Sequence, residues 1–223
     1  MANKNMQNDQ NMSHLPRVDK RSTHHRRSQA ERSEAAQRKI IASALRLLQR
    51  VGFHRTLLTD IARGAKISLG SLQHHFGSRQ VLMERIVDEV MAPLAPVGAA
   101  WPKNAADLPL EERANEFVRL VWERVYAPPS YVAAWSLFFG CKATPLFKRI
   151  DQHRAEQDPL YFAQFVEVFP EISQRHPQPH HFAAVVFAAL RGLAVMRLFK
   201  IDEEATAQDL QIISQMIVRA GSN

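Results

Sequence analysis

Residues 59–76 read TDIARGAKISLGSLQHHF, and this stretch decides the fold. Ile61 and Ala62 supply the inward face of a short helix, and Gly64 and Ala65 keep its end small. Ser68 is placed to cap a second helix by accepting a backbone N–H bond. Leu72 and Phe76 stand four apart, so one face of that second helix is apolar, while Leu69, Ser71, Gln73 and His74 are left to point outward. Two short helices across a tight turn are the geometry that carries a helix into the major groove of DNA, where short polar side chains find base edges and phosphates. Taken alone, the same residues also suit an ordinary helical hairpin in a bundle.

The flanks favour the first reading. Ile40, Ala44, Leu47, Leu48 and Val51 recur at the spacing of an amphipathic helix that Gly52 ends. Downstream, Ser78 can cap a further helix with Arg79 in its first turn and Val81, Leu82, Ile86, Val87 and Val90 inward. Leu57 cannot cap the helix that follows it, so Thr56 or Thr59 has to do so.

The succession of long helix, Gly-aromatic, short helix, turn, Ser-capped helix and Phe-x-Ser-basic over residues 34–90 resembles the TetR family of bacterial transcriptional regulators. Ile40, Ala44, Gly52, Phe53, Thr56, Asp60, Ile61, Ala62, Ala65, Ser68, Gly70, Leu72, His75, Phe76, Ser78, Arg79 and Leu82 carry the match. Lys66 stands where the family usually has glycine, Gln73 where it has tyrosine, Arg79 where it has lysine and Leu57 where it has threonine or serine. Lys66 therefore has to take up the turn without glycine's freedom or shift it. Gln73 gives up an aromatic phosphate contact and gains an amide that can pair with adenine, while Arg79 keeps the charge for a phosphate. The DNA-contacting set implied by the resemblance is Thr56, Lys66, Ser68, Leu69, Gly70, Ser71, Gln73, His74, His75 and Arg79.

Charge is one-sided. Residues 1–90 hold 16 Lys and Arg against 8 Asp and Glu, and residues 91–223 hold 13 against 14. A polyanion partner for the first part explains this better than general solubility does. No apolar segment of membrane length is evident, and the basic stretch 17–32 has few apolar residues to insert into a membrane surface. Residues 1–30 read as a disordered basic arm in which Arg17, Lys20, Arg21, Arg26 and Arg27 either lie along DNA or add only non-specific attraction. No apolar stretch of a signal peptide follows the start, and one cysteine, Cys141, excludes an internal disulfide; both suit the cytoplasm. Cys141, among Leu137, Phe138 and Phe139, reads as a small buried hydrophobe in preference to a redox sensor.

Beyond residue 90 the periodicity stays helical, over 110–126, 131–141, 145–157, 160–169, 179–200 and 205–220, with prolines between the segments. The chain is expected to be all-α, with an arm over 1–30, a helix-turn-helix domain over 31–80 and a helical domain over 81–223. Helices 179–200 and 205–220 carry more apolar surface than one small interior hides, Leu193 and Ile213 included. By the resemblance they pair with their copies as a four-helix bundle in a homodimer.

The middle helices are aromatic, which is usually core. In the family this region encloses a cavity for a small-molecule effector, and Trp122, Tyr126, Trp135 and Phe139 are the expected lining. Few charges fall among these aromatics, which points to an apolar or amphipathic ligand.

Catalytic and metal readings find little. The pairs His24-His25, His74-His75 and His180-His181 are adjacent, so on a helix their members point about 100° apart. His176 and His180 are separated by two prolines. No phosphate loop, nucleophile elbow or Cys-x-x-Cys pair occurs, and neither a cofactor nor an enzyme is expected. The sequence thus predicts a ligand-responsive DNA-binding regulator, in the repressor sense, on a palindromic operator. The competing expectation is a helical lipid- or metabolite-binding protein that kept the fold and lost operator recognition.

Overall fold

The computed structural model describes residues 28–199 and 202–222, and among them it is helical without a strand. Ten α-helices follow one another there: α1 (Gln29–Arg55), α2 (Leu58–Ala65), α3 (Leu69–Phe76), α4 (Arg79–Met91), α5 (Leu110–Val121), α6 (Pro129–Gly140), α7 (Pro145–Val168), α8 (Pro170–Arg175), α9 (Pro179–Met196) and α10 (Glu203–Ser222). A π-helical turn, Trp122–Tyr126, continues α5. The proposed arm residues from Arg17 to Arg27, and the pair His24-His25, lie outside the described residues.

Helix α1 begins inside the stretch expected to be disordered, because Ser28 and Glu31 form a reciprocal cap. The Glu31 N–H donates to Ser28 Oγ at 3.2 Å and the Ser28 N–H to Glu31 Oε2 at 2.7 Å. That arrangement satisfies two end donors at once. The helical path breaks at Gly52, where φ is 74°.

Two hydrophobic cores result. One gathers Ile40, Leu48, Phe53, Ile61, Leu72, Phe76, Leu82 and Ile86 from α1–α4, and it is completed by Ala133 and Leu137 of α6, Cys141 just beyond its end, and Leu146 and Ile150 of α7. The other is built on Trp101, Phe117, Tyr126, Tyr131, Phe165, Phe169 and Phe187 from the later helices. Cys141 is buried as expected, and burial pushes its thiol pKa up. The helix-turn-helix part therefore rests on α6: the Ser136 hydroxyl donates to the Leu48 carbonyl, and a Cβ at Gly140 would lie 2.4 Å from Phe53 Cβ. Only glycine permits that approach.

Three sequence expectations change. Helix α4 buries Leu82, Met83, Ile86 and Val90, whereas Val81 is exposed. Met83 goes inward because α4 is covered on two sides, by the first core and by α6 and α7. Helix α7 runs unbroken through Pro159, although a break was expected after Gln157. An interior proline costs about 3 kcal/mol; burial of Leu146 and Ile150 before it and of Tyr161, Phe165 and Val168 after it offsets this. Finally, α9 has the length and apolar composition of a membrane span, with mean hydropathy 1.3, contrary to the sequence reading. Its Ala183, Val186, Phe187, Leu190 and Ala194 face the protein's own core.

Candidate DNA-reading face and helical cavity

The path into α3 is set by three backbone devices. Lys66 takes the left-handed conformation (φ 58°, ψ 45°) that glycine usually supplies, and its N–H bonds back to the Ala62 and Arg63 carbonyls. The turn is thus kept without glycine, at the steric cost a Cβ carries there. Ser68 Oγ then accepts from the Ser71 N–H at 3.1 Å, capping α3 as its sequence implies. Leu72 and Phe76 are buried and fasten the helix to the first core. Leu69, Gly70, Gln73 and His74 are exposed, with Ser71 and His75 partly so, and Lys66 and Ser68 are also on the surface. Eight residues of helix thereby present one polar edge outward.

Helix α2 is held against α1 by a feature not read from the sequence. The buried Ser43 hydroxyl donates to the Ile61 carbonyl at 2.9 Å, and a Cβ at Gly64 would lie 2.3 Å from Ser43 Oγ. Glycine next to alanine near a helix end was the available signal.

Two expected contacts are corrected. Thr56 has no exposed surface; its hydroxyl donates to the Gly52 carbonyl at 2.7 Å, so it neither reaches DNA nor caps α2. Thr59 does not cap either: Leu57 occupies the cap position and no side chain bonds there. Arg79 is turned inward. Its Nε donates to the Thr56 carbonyl at 3.2 Å and its Nη2 to the Phe53 carbonyl at 2.6 Å, and the guanidinium lies 4.0 Å from the centroid of the Phe53 ring. Burial draws its pKa below the usual arginine range. Two of its three nitrogens are spent on the end of α1, so Arg79 is an internal clasp before it is a phosphate ligand. Ser78 Oγ, accepting from the Val81 N–H at 3.2 Å, caps α4 as expected.

A partly open cavity of about 100 Å³ lies between α4, α6, α7 and α9. Val87 and Met91 of α4 form one wall, and Tyr131, Ala134, Trp135 and Phe138 of α6 another. Helix α7 adds Ile150, Gln157 and Tyr161 together with His153, Arg154 and Asp158, and α9 adds Arg191. Of the four residues expected to line a cavity only Trp135 does. Tyr126 belongs to the second core, with its ring 4.7 Å from that of Tyr131. Trp122 packs under the Arg197 guanidinium, and Phe139 is 63% exposed beside Trp135. Helical spacing identified the aromatic helix but not which of its faces meets α7.

Charge in this cavity was not foreseen. Arg154 is held by Asp158 at 2.8 Å and by Asp151 at 3.0 Å, and His153 Nε2 lies 2.9 Å from Asp88 of α4. Arg191 has no carboxylate within ion-pair distance among the described residues; burial and Arg154 work against its charge, while Tyr126, Tyr131 and Asp158 favour it and leave its pKa above the usual arginine value. Burial pushes the Tyr131 hydroxyl up to about 12 and the Tyr126 hydroxyl higher still, so both stay protonated donors. The signals were an arginine within the apolar run 182–198 and an aspartate just before Pro159. Among the described residues no group of three or more His, Cys, Asp or Glu side chains is placed to hold a metal ion.

A reading helix on a compact trihelical head, carried by a larger helical body, defines a helix-turn-helix DNA-binding protein. Residues 40–86 match the model of bacterial regulatory proteins of the tetR family. The chain is similar to the transcriptional regulator CymR of Pseudomonas putida, 24% identical over 188 residues that make up 80% of this chain and 87% of the relative. Its fold is similar to a transcriptional regulator from Rhodococcus sp. Rha1, with TM-score 0.62, 18% identity and coverage of 82% of this chain and 96% of the other. It is also similar to NalD, the secondary repressor of the MexAB-OprM multidrug efflux pump in Pseudomonas aeruginosa, with TM-score 0.58, 18% identity and coverage of 84% and 97%. Residues 40–86 thus carry a helix-turn-helix of the tetR type, and the chain as a whole is similar in sequence and fold to DNA-binding transcriptional regulators.

Proposed function

We propose that this protein is a ligand-responsive repressor of the cytoplasm that binds a palindromic operator as a homodimer. On this reading residues 31–80 are the reading head, with Lys66, Ser68, Leu69, Gly70, Ser71, Gln73, His74 and His75 toward DNA, and residues 81–223 sense the effector and pair the subunits. One observation carries it: α4 belongs to both parts. Its Leu82, Met83 and Ile86 lie in the core of the head, and its Val87 and Met91 wall the cavity. A ligand that wedges between α4 and α7 therefore tilts the head. Two recognition helices must meet half-sites about 34–36 Å apart, so a tilt of a few ångströms loses one of them.

The dimer is supported by the outward sides of α9 and α10. Val185 is 47%, Met196 47% and Ile212 62% exposed, and Gly192 between them has open space where a Cβ would stand. A helix from a second subunit can approach closely there. Ile213, by contrast, lies in the protomer's own core and is no probe of the interface.

Footprinting on the DNA flanking the protein's own gene tests the whole reading. A protected inverted repeat, released by a small molecule, is the expected result; no preference over random DNA transfers the case to a lipid- or metabolite-binding protein. Val185→Glu with Ile212→Glu is expected to give monomers in sedimentation with operator affinity lost. A double variant that remains a dimer places the interface elsewhere.

A further inference from the structure

The cavity has an unusual composition for its size, and that composition names a chemical class. Its walls are aromatic and aliphatic apart from His153, Arg154, Gln157, Asp158 and Arg191, and among these Asp158 is paired with Arg154 at 2.8 Å. What is left over is Arg191, a guanidinium without a carboxylate within ion-pair distance among the described residues. Beside it on the cavity wall stands Tyr131, whose hydroxyl is a second donor. A guanidinium and a hydroxyl side by side in an apolar wall call for an acceptor.

On the reading that this cavity is the effector site, we propose that the effector is a small organic monoanion, a carboxylate on a single ring or branched apolar body, whose carboxylate is taken by Arg191 and the Tyr131 hydroxyl and whose body lies against Trp135 and Phe138. A planar guanidinium pairs a carboxylate through two parallel bonds, and a tyrosine hydroxyl held in its protonated form adds a third donor. The volume sets the size. An apolar cavity of about 150 Å³ holds benzene, so a partly open space of about 100 Å³ admits one ring after small side-chain shifts. An inorganic anion would leave the apolar walls without a partner. A quaternary ammonium would find aromatic faces, but the Asp158 carboxylate is already paired with Arg154 and the ammonium would meet the Arg191 guanidinium.

Three probes of similar size separate the classes: benzoate, benzamide and phenyltrimethylammonium. Binding to the full-length protein is read by calorimetry, and release from operator DNA by fluorescence anisotropy. Benzoate is expected to bind saturably and release the DNA, with benzamide about tenfold weaker or worse, a loss in keeping with the strength of a charge-assisted bond. Arg191→Gln is expected to lose benzoate about tenfold while leaving benzamide unchanged, and Arg191→Lys to recover part of the loss. Should Arg191→Gln fail to fold, Ala134→Leu fills the cavity from α6 and is expected to abolish benzoate binding by calorimetry on the protein without DNA. Equal binding of benzoate and benzamide, preference for the ammonium, or benzoate binding indifferent to Arg191 overturns the anion proposal. Release by the ammonium or the amide alone would leave the ligand-responsive regulator standing with another effector class. Indifference of an operator-binding protein to all three probes overturns the anion and removes the support this cavity lends to ligand response.

Discussion

The two cores of this molecule are made of different stuff. The core under the head is aliphatic, with Phe53 and Phe76 its only buried aromatic residues among those described, whereas in the core of the body Phe165, Phe169 and Phe187 meet Phe117 edge to face and Trp101 stacks on it. Branched aliphatic side chains fill space without polar edges and fix helices in one register. Large rings with N–H or O–H groups leave crevices and polar handles at their margins. On the proposed reading, a head that has to hold one geometry is built from the first material, and a body that would admit an effector from the second.

Cutting each core at its centre is the strongest way to break this comparison. Phe117→Ala is expected to cost about 3–5 kcal/mol and Leu72→Ala about 2–5 kcal/mol. Because α6 and α7 complete the head's core, urea unfolding followed by fluorescence and by circular dichroism should give one coincident transition for both variants. Two separated transitions would show that the cores are independent and that the contrast has no mechanical meaning. A subtler intervention acts on their seam. Gly140→Ala drives a methyl into Phe53 and is expected to cost about 1–3 kcal/mol as overpacking does, with operator affinity falling although no DNA-facing residue has changed. Unaltered affinity would mean that α6 does not set the position of the head.

On the reading edge, Gln73→Ala is expected to lose about 1–3 kcal/mol on the preferred operator and little on random DNA, if the amide reaches a base. Uniform weakening across single-base operator variants would make Gln73 a phosphate ligand. Arg79→Ala should differ from it in kind. Removing a clasp on the Phe53 and Thr56 carbonyls lowers the melting temperature, by the equivalent of about 1–3 kcal/mol, before any change in salt dependence. A variant with unchanged melting and a flatter salt slope would restore Arg79 as a phosphate contact. The smallest effect belongs to Lys66→Gly. Relief of the left-handed backbone, less the entropy glycine brings, leaves a net stabilisation of about 0.5–1 kcal/mol. Destabilisation would mean that the lysine side chain supports the turn.

What the sequence allowed to be read follows the range over which each rule acts. Ser68 and Ser78 were legible as caps because a cap joins residues three apart. Ile61, Leu72 and Phe76 were legible as core because a helix face repeats along the chain. Thr56 and Arg79 were not, since whether they meet solvent depends on where Phe53 and the end of α1 lie, which is a matter of packing between helices. The cavity lining was the least legible. Tyr126, Trp122 and Phe139 obey the same periodicity as Trp135, and only the placement of α7, carried straight through Pro159, decides which ring faces an opening.

The sharing of a core between α1–α4 and the face of α6 also bears on how such proteins recombine. A chimera joined after residue 90 would expose Leu48, Phe53 and Leu82 to a foreign α6 surface, and the body left behind would show Ala133, Leu137 and Cys141 to a foreign head. The exchangeable cassette is therefore discontinuous along the chain: the head together with Ala133, Leu137, Cys141, Leu146 and Ile150 beneath it. Heads swapped with that footprint in place keep their bearing, and sensors can be re-paired with new operators without rebuilding either core.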